Sequence, residues 1–188
     1  PDRYKAAVIG TFDHSGSTEM GGNHLYSDGT MQEVADICFA AGLTFDDDGE
    51  VPVSLFDGYI NELGDMNLNN CKGFMDQERR FQKGGTSYLA ALRWIVETAG
   101  FGRVDLGRPS SGKRGLFSKG SGDALTVKAT AEYPTYALFV TDGEPQDDHS
   151  AIEAYLTAMS QLPIFVQFVG VGEHSFRFLD QLNKLEGR

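Results

Sequence analysis

Apolar and polar positions recur along the chain with two different periods, and the places where the period changes mark its elements. Residues 6–12, Ala-Ala-Val-Ile-Gly-Thr-Phe, form an unbroken run of strand length that stops at Asp13, as a parallel strand covered on both faces does. From Tyr26 onward Met31, Val34, Ala35, Cys38 and Ala41 recur at helical spacing, which predicts an amphipathic helix to about Leu43. A polar turn at Phe45–Glu50 leads into Val51–Phe56, read as a strand with Pro52 at its start or on an edge. Residues 57–70 leave room for a further short strand around Tyr59 to Met66, although Gly58, Gly64 and several Asn interrupt it.

After Gly84-Gly85-Thr86, the stripe Tyr88, Leu89, Leu92, Ile95 and Val96 predicts a helix that stops at Ala99-Gly100. Residues 100–123, rich in Gly, Lys and Arg and without periodicity, read as an insertion or mobile loop. Tyr136–Thr141 is a second buried-strand run halted by Asp142-Gly143. A helix over Ala151–Leu162, a strand over Ile164–Val169 and a closing helix from about Phe176 to Leu185 complete the chain. The β-α-β order, with no internal repeat, predicts one α/β domain over 1–188: a doubly wound, mostly parallel central sheet flanked by helices in a Rossmann-like three-layer sandwich.

Composition narrows what such a domain does. A formal charge of −11 repels phosphate backbones and anionic lipid surfaces, which argues against nucleic-acid binding and favours cations as ligands. No apolar stretch approaches the roughly 20 residues of a bilayer-spanning helix, so membrane insertion is not expected. Two cysteines, Cys38 and Cys71, in 188 residues are far from the density of a disulfide-stapled secreted domain and favour a reducing, cytoplasmic compartment.

Three segments carry hydroxyl or carboxylate oxygen at the carboxyl end of a strand or the mouth of a helix: Asp13-His14-Ser15-Gly16-Ser17, Gly85-Thr86-Ser87 and Thr141-Asp142-Gly143-Glu144. Ligand crevices of open α/β sheets lie outside the carboxyl ends of strands where strand order reverses. The segments converge if the first strand neighbours the fourth, and the result is an all-oxygen pocket suited to Mg²⁺ or Mn²⁺ ahead of Ca²⁺. Alternation along an extended turn aims Asp13, Ser15 and Ser17 at one point and turns His14 away. His14 is therefore assigned to the rim, within reach of a partner, and Glu144 is also expected there.

The pattern D-x-S-x-S at Asp13–Ser17, the distant Thr86 and a strand ending Thr141-Asp142-Gly143 resembles the metal-ion-dependent adhesion site (MIDAS) of von Willebrand factor A (VWA) domains. The runs Asp28–Gln32, Phe45–Gly49, Thr141–Pro145 and Phe165–Gly172 resemble the A-domain subfamily of tellurite-resistance (Ter) proteins. The resemblance implies that Ser15, Ser17 and Thr86 contact the metal and that Asp13 and Asp142 bind it directly or through water. It further implies a sixth position for a partner's Glu or Asp, and a non-enzymatic interaction module in tellurium resistance or another stress response. Thr18 stands where Met often follows the second serine of this group, and the chain stops at Gly187-Arg188 ahead of the last strand such domains carry.

Competing motifs are weaker. Asp46-Asp47-Asp48-Gly49 in an EF-hand register would need carboxylates at Thr44 and Leu55. Gly107–Lys113 matches G-x-x-x-x-G-K, but Arg114 replaces the metal-binding Ser or Thr, and Ser175 occupies the third glycine position after Gly170 and Gly172. Cys71 has no placeable His partner, and Cys38 falls in a core stripe. The enzymatic alternative is a haloacid-dehalogenase-like, Mg²⁺-dependent phosphohydrolase with Asp13 as nucleophile. That chemistry requires a second carboxylate two residues on, where this chain has Ser15.

Overall fold

The computed structural model describes residues 5–102, 133–173 and 175–182. Five strands, β1 (Ala7–Asp13), β2 (Val51–Phe56), β3 (Ile60–Met66), β4 (Thr135–Thr141) and β5 (Ile164–Gly170), form one sheet in the order β3-β2-β1-β4-β5. All neighbours are parallel except β2 and β3, which form an antiparallel hairpin. Four helices, α1 (Thr30–Phe45), α2 (Tyr88–Thr98), α3 (His149–Met159) and α4 (Arg177–Leu182), and two 3-10 segments at Gly16–Glu19 and Phe74–Arg80 complete the described elements. The Gly- and Lys/Arg-rich stretch from 103 onward, with the Gly107–Lys113 motif, and the expected helix beyond Leu182 lie outside the described residues.

The architecture is the expected three-layer α/β sandwich, and strand parity shows why. Val8 and Phe12 of β1, with Leu138 and Val140 of β4, face a core shared with Met31, Ala35, Cys38 and Phe39 of α1. Ile9 of β1, with Ala137 and Phe139 of β4, faces the opposite core, built from Leu92 and Ile95 of α2, Ile152 and Tyr155 of α3 and Phe178 of α4. A strand buried on both faces cannot alternate apolar with polar, which is the origin of the continuous runs at 6–12 and 136–141. Burying each such side chain contributes roughly 1.5–3 kcal/mol.

Several boundaries differ from the sequence expectation for identifiable reasons. Helix α1 begins at Thr30 instead of Tyr26, because the Glu19 carboxylate accepts the backbone N–H groups of Tyr26 and Ser27 and Gly29 turns the chain at φ 89°. Pro52 lies inside the sheet, at the start of β2 before its pairing with β1 begins at Val53. The strand around residues 59–66 forms at Ile60–Met66, joined to β2 by a turn in which the Asp57 carboxylate accepts the Tyr59 N–H at 2.7 Å. Helix α3 starts two residues early, at His149, with Asp148 accepting the Ala151 N–H, and ends at Met159. The 3-10 segment at Phe74–Arg80, with Phe74 and Met75 buried, has no counterpart in the sequence reading, since seven residues are too few for a periodic stripe.

Helix α1 lies close to the sheet where it passes Gly42, at which a Cβ would stand 2.3 Å from a Val51 methyl carbon. Alanine in a helix interior normally stabilises by about 1 kcal/mol over glycine, whereas overpacking of a filled core costs about 1–3 kcal/mol. Gly42→Ala is therefore expected to lower the midpoint of urea unfolding. A raised midpoint would show that α1 can lift off β2 without cost.

Candidate metal centre

The sheet order places β1 between β2 and β4, so the chain leaves β1 in one direction to reach β2 and returns on its other side as β4. The carboxyl ends of β1 and β4 form the switch point, and Asp13 and Asp142 stand there, each at 0% exposure. Asp13 shares the parity of Ile9 and Thr11, and Thr141 that of Ala137 and Phe139. The parallel register thus brings the Thr141 hydroxyl to Asp13, to whose Oδ2 it donates at 2.7 Å. Tyr88, the first residue of α2, donates to the Gly143 carbonyl at 2.7 Å and lies 3.1 Å from Thr141 Oγ1, which ties the second strand end to the helix layer.

The first loop turns tightly after β1. Ser15 is extended, with φ −68° and ψ 165°, and Gly16–Glu19 follows as a 3-10 turn, so convergence of the side chains comes from this turn and not from continued alternation. The Ser15 N–H donates to Asp13 Oδ1 at 2.8 Å. The Ser15 and Ser17 hydroxyl oxygens lie 2.9 Å apart, and Ser17 Oγ donates to Asp142 Oδ1 at 2.9 Å. Since each hydroxyl has one proton, Ser15 donates to Ser17 and Ser17 to Asp142, a chain that links the first loop to the third.

Thr86 is buried on the adjoining loop, which docks by its backbone. Gly16 N–H donates to the Gly84 carbonyl at 3.1 Å, and Gln146 N–H to the Thr86 carbonyl at 2.8 Å. Four of the five expected positions, Asp13, Ser15, Ser17 and Asp142, are thus joined by a chain of side-chain and backbone hydrogen bonds, and the fifth lies on a segment bonded to both of their loops.

The two rim assignments fare differently. Glu144 is exposed, but its Oε1 accepts the Phe178 N–H at 3.1 Å and so holds α4 in place. His14 is a correction: it is fully buried, with Nε2 2.9 Å from Glu78 Oε2 and its ring edge-on to Tyr26. Burial lowers its pKa, against the opposing pull of Glu78, which favours a neutral ring donating from Nε2. Its Nδ1 is buried without a partner among the described residues.

The sequence reading missed the supports of the loop. Tyr26 donates to the Asp13 carbonyl at 2.6 Å, Thr18 to the Ser15 carbonyl at 2.8 Å, and Asn23 bridges the Ser17 carbonyl and Asp142 Oδ2. Lys83 lies over the Tyr26 ring and binds Glu78 and Thr18 Oγ1. These partners come from two stretches, 18–26 and 78–83, without a fixed spacing. The only hint in the sequence was Thr18, the departure from the family pattern, whose hydroxyl now has a role.

Both carboxylates are desolvated, yet among the described residues no lysine, arginine or histidine forms an ion pair with either. Neutral donors alone compensate them, an expensive arrangement for two neighbouring anions. The candidate donor set is hard oxygen, two carboxylates and the three hydroxyls of Ser15, Ser17 and Thr86, and no group of three His, Cys, Asp or Glu with metal-holding geometry exists among the described residues. Such a set fits a hard divalent cation. The arrangement does not favour phosphohydrolase chemistry, because Ser15 occupies the general-acid position and both Asp13 oxygens already accept hydrogen bonds.

Burial pushes the Asp13 carboxyl from its ordinary 3.8 up to about 6; hydrogen bonds from Ser15 and Thr141 oppose the rise and the charge of Asp142 adds to it. In metal-free buffer the folded state therefore holds more protons than the unfolded state between those two values. Stability should fall as pH rises from about 4 to about 6 and level off above, by up to about 3 kcal/mol. The difference in urea-unfolding free energy between wild type and Asp13→Asn across this window isolates the effect, and a pH-independent difference would contradict it.

Comparison with known proteins identifies the fold and the family. A model of the vWA-TerF-like family, described as the vWA found in the TerF C terminus, matches residues 5–106 and 122–188. The uncharacterized protein YcbR of Bacillus subtilis (strain 168) is 30% identical over 171 residues, covering 87% of this chain, and the chain spans 58% of that relative's length. Among solved structures, a von Willebrand factor type A protein from Catenulispora acidiphila superposes with TM-score 0.56 at 14% identity, over 95% of this chain and 36% of the other. Proximal thread matrix protein 1 from the mussel byssus, solved with a zinc-occupied MIDAS motif, gives TM-score 0.56 at 14% identity, over 95% of this chain and 41% of its own. These likenesses share the three-layer fold, and the extent of the family match makes this chain a member of the vWA-TerF-like family of von Willebrand factor A domains.

Proposed function

We propose that this domain is a metal-dependent protein-interaction module, not an enzyme, in which Asp13, Ser15, Ser17, Thr86 and Asp142 hold Mg²⁺ or Mn²⁺ and a Glu or Asp of a partner protein completes the site. The observation that carries the reading is the pair of fully buried carboxylates without a cationic side-chain partner among the described residues. The mussel protein's zinc-occupied MIDAS motif supports it from a structural relative.

A bound dication would supply a local positive centre for an incoming carboxylate. The chain's own residues set how strong that centre is. Asp13 and Asp142 bring the negative charge, while Ser15, Ser17 and Thr86 are neutral and leave much of the cation's charge uncompensated. A partner's acidic group approaching a protein of net charge −11 is otherwise repelled, so recognition depends on the loaded site. Tellurium resistance or another stress response is the setting the Ter likeness favours, and the two free cysteines, Cys38 and Cys71, are consistent with a cytoplasmic one. No helix among the described residues is long and apolar enough to cross a membrane.

Calorimetric titration with Mg²⁺, Mn²⁺, Ca²⁺ and Zn²⁺ tests the reading. Wild type is expected to take up one ion per chain, and Asp13→Ala and Asp142→Ala to lose affinity by about 100-fold. At 100 times the dissociation constant the ion should stabilise the fold by about 2.7 kcal/mol. Proteins captured from extract in Mg²⁺ should be released by chelator. Undiminished ion binding in both variants, or capture indifferent to chelator, would sink the proposal.

A further inference from the structure

We propose that Asp147 is a positioning residue that sets Thr86 against the Asp13–Asp142 cluster. The proposal rests on the metal-site reading above and goes beyond it by naming what fixes the one expected ligand that, among the described residues, no side-chain hydrogen bond ties to the other four.

The geometry is a clasp between two loops far apart in sequence. Asp147 follows Asp142 by five residues, just before the Asp148 cap of α3. Its Oδ1 accepts from Ser87 Oγ at 3.1 Å and its Oδ2 from the Leu89 N–H at 3.0 Å. Ser87 is at the same time the N-cap of α2, accepting the Ala90 N–H. One carboxylate therefore compensates two donors in the first turn of α2, where its negative charge also meets the positive end of the helix dipole.

One residue earlier, the Gln146 N–H donates to the Thr86 carbonyl at 2.8 Å. The Gln146 side chain folds over Gly85, where a Cβ would stand 2.2 Å from Gln146 Oε1. Residues 146 and 147 thus grip residues 86, 87 and 89 at three points. The same segment is held from the other side by Gly16 on Gly84 and by the Asp57 carbonyl, which accepts the Ser87 N–H at 2.7 Å.

Thr86 is therefore carried on a strap whose ends are fixed to the loops after β1, β2 and β4. Among the described residues Asp147 is the one side-chain carboxylate that fixes the strap, because the other grips are backbone to backbone and survive substitution. Removing it loosens the first turn of α2 against the loop that carries Asp142 and leaves the Gln146 amide as the one direct grip of that loop on Thr86 among the described residues. Groups that orient metal ligands from behind typically change affinity by about 10–100-fold when removed.

The test is a double-mutant cycle read by Mn²⁺ binding, with amide hydrogen exchange as a readout that needs no metal. Asp147→Ala is expected to weaken Mn²⁺ binding by about tenfold and to speed exchange at Leu89 and Ala90 in metal-free protein. Asp147→Asn, which keeps the shape and an acceptor but loses the charge, is expected to stay within about twofold of wild type. In a Thr86→Val background the cost of Asp147→Ala should vanish, because the group it positions is gone. Ser87→Ala, which breaks one of the two carboxylate contacts, should show a smaller loss and serves if Asp147→Ala does not fold.

Equal loss in the Asn and Ala variants would mean that the side chain's shape and one retained acceptor do not hold the strap, and an additive cycle would mean that Asp147 acts independently of Thr86. Either result overturns the proposal, as does wild-type affinity in Asp147→Ala. Absence of Mn²⁺ binding in wild type would instead overturn the metal-site reading on which it stands.

Discussion

Two carboxylates held out of water at the ends of neighbouring parallel strands govern the organisation of this domain's upper face. Asp13 and Asp142 are placed by the sheet itself, because β1 and β4 are adjacent and their register sets the last residues of both side by side. Ionised groups in such a position need compensation, and the chain meets the need with hydrogen-bond donors: the Ser15 amide, the hydroxyls of Ser17 and Thr141, and Asn23. Burial raises the pKa of Asp13 despite the bonds from Ser15 and Thr141, and the charge of Asp142 adds to the rise.

The surroundings of the site form two differently built supports. On the α1 side, the loop after β1 is held by its carbonyls, with Tyr26 on Asp13 and Thr18 on Ser15, while His14, Glu78 and Lys83 fill the space behind. On the α2 side, the strap bearing Thr86 is held by amides and carbonyls of three loops and by the Asp147 carboxylate. Positioning a ligand group from behind in this way limits the reorganisation needed when an ion or a partner arrives. It also separates the roles of acidic residues that look alike in the sequence: Asp142 belongs to the site, Glu144 secures α4, Asp147 secures α2 and Asp148 caps α3.

Charge gives the site its functional logic. A strongly acidic surface is a poor receptor for an acidic ligand, and a pocket of neutral hydroxyls around two carboxylates is a poor receptor for anything except a cation. The proposed interaction reconciles the two, since the cation would reverse the sign of the potential only where the five oxygen-bearing residues meet. The same argument accounts for the weak standing of the enzymatic alternative, in which the position two residues after Asp13 would require an acid.

The sequence by itself determined the elements that obey a period and the residues that carry the chemistry. Unbroken apolar runs at 6–12 and 136–141 read as strands covered on both faces, and Asp13 and Asp142 were legible as the points where those runs stop. The family was legible in D-x-S-x-S, Thr86 and Thr141-Asp142-Gly143, a set of oxygen donors at strand ends and a helix mouth that resembles the family's motif. What only the tertiary structure decided was everything that depends on neighbours without a fixed spacing. His14 was expected at a rim by alternation, but the chain folds into a 3-10 turn after Ser15 and Glu78, sixty-four residues on, accepts its ring N–H in the interior. Helix α1 was expected from Tyr26, but Glu19 takes the amides that would have begun it. Hydrophobic periodicity records which face of an element is buried, whereas a hydrogen bond between distant residues records only that the fold has brought a donor to an acceptor. That second kind of information enters the chain as single polar residues, and no pattern marks them until the sheet has formed.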